Sequence, residues 1–196
     1  MIFYQCKNNA LGLDQGDFCP PNFIRLFIYP RFLWYLIYNM IYITDSTIDK
    51  YIEIFEDQNV YTSKLEQLFT DQKDLMAFID KDNQSLLSTE ESGMLEYLTM
   101  VLYYSANEQC GKIHKLNGKD LEEAEEKNWE VFNSILSGSF SKALDTFFEN
   151  YPQEDMLALV DDSLQPDEDQ VISTVGREII LVACKSIIDI IHKNNN

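Results

Sequence analysis

Positive charge is what this chain has least of. Fifteen Lys and Arg stand against 33 Asp and Glu, giving a formal net charge of -18 and a pI near 4.3. Contacts with a phosphate backbone would work against that field, which argues against direct nucleic-acid binding and favours a basic protein as partner. Turn formers are scarce too: seven Gly and five Pro in 196 residues leave few reversals for a many-stranded sheet and favour long helices. Two histidines give a His-based triad few components, and no G-x-S-x-G, P-loop or G-x-G-x-x-G string occurs. Four cysteines, Cys6, Cys19, Cys110 and Cys184, form no C-x-x-C pair and are too sparse for a disulfide scaffold, so a reducing cytoplasm is expected. Long apolar runs are also missing. The stretch Phe32 to Ile43 is uncharged but only twelve residues long, short of what a bilayer-spanning helix needs, and a membrane partner is not expected.

A chain of this length forms one domain and buries roughly 70% of the surface exposed by its unfolded form, enough for a core without disulfides or a structural metal. The composition nevertheless divides it. Residues 1–43 are aromatic-rich with a net charge of +1 (three Lys and Arg against two Asp), leaving -19 for residues 44–196. The first part reads in three ways: an aromatic helix or strand packed on the domain, an interfacial anchor with Arg at its edge, or translated upstream sequence before a start at Met40.

From Asp45 the spacing predicts successive amphipathic helices, six or seven in all. Ser46 caps a first helix with Ile48, Tyr51, Ile52 and Phe55 on one stripe, and Thr62 caps a second with Leu65, Leu68, Phe69, Met76 and Ile79. Ser88 and Glu91 make a capping box for a third, burying Met94, Leu95, Leu98, Val101 and Leu102. A fourth follows Asn117-Gly118, Gly138 interrupts the period, and helices around Phe140–Tyr151 and Met156–Leu164 follow. The last helix is expected to start at Pro166. Its Val171–Ile191 stretch is apolar on most sides, with Glu178, Lys185, Asp189 and His192 on one narrow stripe, which makes it the helix the others surround. The expected fold class is all-α, a single-domain bundle around a hydrophobic C-terminal helix.

Residues 80–91, DKDNQSLLSTEE, resemble the calcium loop of an EF-hand, with Asp80, Asp82, Gln84, Ser88 and Glu91 at the oxygen-ligand positions and Leu87 at the apolar one. Ser85 stands where the sharp turn wants Gly, no second loop pairs with this one, and the capping box accounts for Ser88 and Glu91 without metal. Cys110 and His114, four apart on an expected helix, and Asp189 and His192, three apart on another, form a second conceivable metal set; a half-buried Cys with two surface histidines is the plain alternative. No cofactor is implied by any motif.

Acidic residues carry the strongest functional signal. Nine acids and no Lys or Arg lie between Ala143 and Gly176, among them Asp161, Asp162, Asp167, Glu168 and Asp169, and a second cluster holds Asp120, Glu122, Glu123, Glu125 and Glu126. Some sit at helix starts, where negative charge meets the positive helix end. The remainder is either a solvated face or a docking surface for a basic partner, with Trp129 and Tyr151 as candidate apolar anchors. The stretches YPQEDMLALVDDSL from Tyr151 and ISTVGREIILVACKSIID resemble the end of a family of small acidic all-helical bacterial proteins of unknown function; the resemblance spans the last quarter of the chain and implies a helical fold with no activity. A non-enzymatic cytoplasmic interaction module is therefore the leading expectation, with toxin-neutralising, chaperone-like and nucleic-acid-mimicking roles all compatible. The calcium- or metal-binding protein is the alternative.

Overall fold

The computed structural model describes residues 41–81, 86–135, 139–165 and 172–194. Among these, eight α-helices occur and no strand: α1 (Asp45–Ile54), α2 (Gln58–Asp71), α3 (Lys73–Ile79), α4 (Thr89–Gln109), α5 (Gly118–Ser134), α6 (Phe140–Phe148), α7 (Glu154–Ser163) and α8 (Thr174–Asn194). The fold is all-α, as the periodicity requires. The aromatic segment up to Met40 lies outside the described residues, as do Asp82 to Ser85, Gly138 and Pro166 to Val171.

The extra helix comes from a break at Gln72, inside the expected second helix. Its backbone leaves the helical region, at φ -127° and ψ 56°, and its side chain turns inward. There Oε1 accepts Leu116 N–H at 2.9 Å, while Nε2 donates to Tyr103 Oη and to the His114 carbonyl. An apolar stripe drawn from Leu65 to Ile79 therefore crosses two helices with different axes, and Phe69, expected in the core, is half exposed. The caps shift as well: α2 is capped by Asp57, which accepts from Asn59 and Val60 amides, instead of Thr62. At α1 the N-cap position is Thr44 and not Ser46.

Two helices form the interior. Along α8 every residue from Ile179 to Ile188 is buried, and it packs on α5, α4 and α7. The other is α4, buried without interruption from Leu98 to Ala106; its expected single stripe understates it because LTMVLYYSA is apolar almost all round. Burial of the hydroxyls is tolerated because they bond within their own helix, Thr99 to the Leu95 carbonyl at 2.8 Å and Ser186 to the Val182 carbonyl at 2.7 Å. Aromatic rings seat α1 and α2 against α4: Tyr104 stacks on Tyr51 at 5.9 Å and meets Phe55 edge-on at 5.8 Å, and Tyr61 of α2 stacks on Tyr97 at 6.4 Å.

Helix starts are tied to other helices by carboxylates. The capping box at α4 forms as expected, with Ser88 Oγ accepting Glu91 N–H and Glu91 Oε2 accepting Ser88 N–H at 2.8 Å. The second oxygen of Glu91 reaches further and accepts Ser173 N–H at 2.7 Å, at the start of α8. Ser173 Oγ accepts Gly176 N–H at 2.9 Å, so Ser173 is the N-cap and Gly176 is the third helical residue, where a capping box would carry its own Glu. Here that position is glycine and Glu91 fills the space; a methyl group on Gly176 would overlap its carboxylate. Likewise Asp155 on α7 accepts the Asp45 amide of α1 at 2.8 Å, and Asp74 on α3 accepts the Gly118 amide of α5 at 3.3 Å. Burial opposes the charged form of Glu91, but the hydrogen bonds from Ser173 and Ser88 outweigh it and hold the carboxyl below its ordinary range.

Gly176→Ala is expected to cost about 1–3 kcal/mol in urea unfolding, as an overpacked site, and Glu91→Ala a similar amount through the amides it strands. Since one atom group occupies the space of the other, the double variant should lose less than the sum by at least about 0.5 kcal/mol. Simply additive costs would mean that the two residues do not meet.

Candidate functional site

An apolar groove of about 300 Å3 opens between α5 and the start of α8, lined by Leu86, Trp129, Val175 and Ile179 with Glu125 and Glu178 at its edges. Leu86 is 69% exposed and Val175 50%, so two large apolar side chains beside Trp129 face water. The indole is half-buried and held edge-on to Phe132 at 5.6 Å, which fixes its orientation. On the helix that carries it, Glu126 and Glu122 lie about one and two turns before Trp129, and both are exposed, as is Glu130. Glu125 differs from these. Its carboxylate is buried and paired with Lys81 at 2.6 Å, and the same ammonium lies 4.4 Å from the Phe78 ring centre. Thus α3 is clamped to α5 beside the groove, and of the acids expected to form one solvated cluster Glu125 belongs to the packing.

Further along α8, a buried polar cluster joins three parts of the chain. Lys185, buried on α8, donates to both oxygens of Asp189 at 2.7 and 2.8 Å and sits 4.1 Å from the Tyr151 ring centre. Tyr151 Oη donates to Asp189 Oδ1 at 2.9 Å, while Asn128 Nδ2, from α5, reaches Asp189 Oδ2 and Ser186 Oγ, both at 3.0 Å. Burial pushes the Lys185 ammonium down, against the pull of Asp189, and pushes the Tyr151 phenol up, with Asp189 adding to it. Beside the cluster, Gln153 clasps the chain before α1: Oε1 accepts Ile43 N–H at 3.1 Å and Nε2 donates to the Ile41 carbonyl at 2.7 Å. These two backbone groups fix the orientation of the amide. Its contact with His192 Nδ1 at 3.1 Å is then a donation to the ring, which requires a neutral imidazole with its proton on Nε2.

No protein-family model matches the chain, and no curated protein or solved structure matches it either. The site residues accordingly rest on their own geometry. Of the EF-hand-like set, Asp80 is exposed at the end of α3, Asp82 and Gln84 lie outside the described residues, and both Glu91 oxygens are occupied by amides. Ser88 is spent on the same capping box. Among the described residues no three His, Cys, Asp or Glu side chains converge to hold a metal ion. Cys110 and His114 do not share a helix face, because α4 ends at Gln109 and Gly111 takes φ +78°, turning the chain away. Asp189 and His192 are instead partners of Lys185 and Gln153.

The two acidic groups of the proposed surface stand on different helices, α5 and α7, each packed on α8. Glu122, Glu123 and Glu126 are exposed, with Glu123 3.6 Å from Lys119. Asp162 is exposed, Asp161 is half-buried and accepts from the Gln165 amide, and Asp167, Glu168 and Asp169 lie outside the described residues. Burial raises the Asp161 carboxyl, helped by Asp162 and Asp145 and opposed by Gln165 and Arg177. Tyr151, expected as an exposed anchor, is instead packed over Lys185. Leu86 and Val175 carry no periodic signal of their own, Leu86 preceding α4 and Val175 lying in the first turn of α8.

Asp189→Ala leaves Lys185 buried without its counter-ion and is expected to cost about 3–5 kcal/mol in denaturant unfolding, whereas a surface acid such as Glu122→Ala should change stability by less than about 0.5 kcal/mol. His192 gives the second test. Burial lowers its folded-state pKa, with Lys185 adding to this and Asp189 opposing. The unfolded chain therefore takes up the proton first, near pH 6.5. Stability from this group is complete above that pH and declines as pH falls below it. The urea midpoint should fall between pH 7.5 and 5.5, and the fall should be smaller in His192→Gln; an identical slope in the variant would dismiss the neutral-imidazole contact.

Proposed function

We propose that this protein is a non-enzymatic interaction module that docks a basic segment of a partner protein in the groove beside Trp129. The observation carrying this reading is the coincidence of exposed Leu86 and Val175, an oriented indole, and a row of exposed acids on the same helix as that indole. Apolar contact supplies residence time and the acidic row supplies steering, a division that suits a peptide with an aliphatic anchor flanked by Lys or Arg. Glu178 at the edge and the net charge of -18 add to the same field. No helix among the described residues is long and apolar enough to cross a membrane. A cytoplasmic setting agrees with Cys110 and Cys184 both being free thiols, their pKa values raised by burial.

A synthetic amphipathic peptide of alternating Lys and Leu tests this, with its all-Glu counterpart as control, by fluorescence anisotropy against the full chain. Saturable binding of the Lys peptide is expected, weakening as salt rises. Trp129→Ala should reduce affinity by about tenfold or more, as for a central anchor, and Glu122→Lys with Glu126→Lys should act mainly on the association rate. Binding that ignores Trp129→Ala, or equal binding of the Glu peptide, would overturn the reading.

A further inference from the structure

A second cavity, of about 530 Å3, opens between α2, the end of α4 and the segment 110–117, and its lining carries more positive than negative side chains. Its lining includes Tyr103, Asn107, Lys112, His114, Lys115 and a single acid, Asp71. Elsewhere among the described residues five lysines, Lys50, Lys81, Lys119, Lys185 and Lys193, pair with acids. Lys112 and Lys115 have no acidic partner among the described residues, as is true of Lys64, Lys73, Lys127 and Lys142, but these two stand together at one cleft.

The segment bearing these cations is held rigidly. Gly111, at φ +78°, makes the left-handed turn that ends α4 and sends the chain back across it. Ile113 and Leu116 then enter the core, 2% and 1% exposed, leaving His114 and Lys115 between them outside. The backbone is pinned from two sides, with Asn107 Oδ1 accepting Ile113 N–H at 3.1 Å and Gln72 bonding both His114 O and Leu116 N. Both pinning amides line the cleft. Because Asn107 accepts with its oxygen, its NH2 donors are not used by that bond. Tyr103 Oη accepts from Gln72 Nε2 at 3.2 Å, and its own proton has no acceptor among the described residues. Burial raises this phenol above its ordinary pKa, keeping it a donor. Asp71, the one acid present, already accepts from Gln67 at 3.4 Å.

We propose that this cleft binds a small organic anion, a carboxylate or phosphate ester, whose charged oxygens are held by the Tyr103 hydroxyl, the Asn107 amide and the ammonium groups of Lys112 and Lys115. The volume lies in the range of small-molecule sites. Donors fixed on a pinned backbone need little reorganisation to meet an anion. The strongly negative field around the cleft excludes extended polyanions and leaves a compact, singly or doubly charged ligand as the class that fits.

Phenyl phosphate and benzoate are the probes, titrated separately into the full chain and followed by amide chemical shifts, with phenol as the uncharged control. Saturable shifts confined to residues 67–72 and 103–116 are expected for at least one anion, with none for phenol. Tyr103→Phe should weaken that binding about tenfold, the worth of one hydrogen bond to a charged group. Lys112→Gln with Lys115→Gln should abolish it while leaving circular dichroism and the melting midpoint unchanged, since neither lysine gives up an ion pair. Absence of saturation by both anions up to about 10 mM, far weaker than a site of this kind should be, would overturn the proposal. So would undiminished affinity in the double lysine variant.

Discussion

The start of α8 depends on a side chain 82 residues earlier in the chain. A helix begins with amides that have no partner inside it, and a central helix cannot leave them all to water. Ser173 satisfies one of these amides and Glu91 another, from α4, in the space that Gly176 leaves open. One carboxylate thus begins two helices, and these are the two that form the interior. The other placements on α8 share that register: Val175 and Ile179 at the groove, Lys185 and Asp189 in the buried cluster, and His192 against Gln153.

The acid excess therefore divides by task. Glu91, Asp155 and Asp74 serve helix starts on other elements. Glu125 and Asp189 neutralise buried or half-buried lysines, and removal of either partner would leave a charge where water cannot screen it. Glu122 and Glu126 have no such internal task, and they stand on the helix that presents Trp129. Net charge alone does not distinguish these groups. Solvent exposure does, and it leaves Glu122 and Glu126 open beside an apolar groove, and Lys112 and Lys115 open at a separate cleft.

Much of the helical order was legible because it is local. The capping box of Ser88 and Glu91, the Asn117 cap that accepts the Lys119 amide, and the apolar circumference of α8 each lie within a few turns of one another in sequence. The failures share a different cause. Gln72 reads as an ordinary helical residue until its side chain is seen to hold Leu116 and His114 from more than 40 residues away. Spacing alone puts Cys110 and His114 on one helix, whereas the left-handed backbone of Gly111 between them ends it. A local signal for the Glu91 bridge does exist: Ser173 is followed by Gly176 where a self-sufficient capping box would place Glu. It marks a missing partner without naming it.

By itself the sequence determined an all-helical chain with an acidic surface, few turn signals and a central C-terminal helix, since periodicity, capping and net charge are properties of neighbours and sums. Tertiary structure alone decided which acids face water, which lysines are spent, and where Leu86, Trp129 and Val175 meet. The physical reason is that a charge or an apolar side chain is defined functionally by what it is left without after folding. That remainder depends on contacts between residues 44 to 110 positions apart, as in the bonds of Gln72 to Leu116 and Asp155 to Asp45.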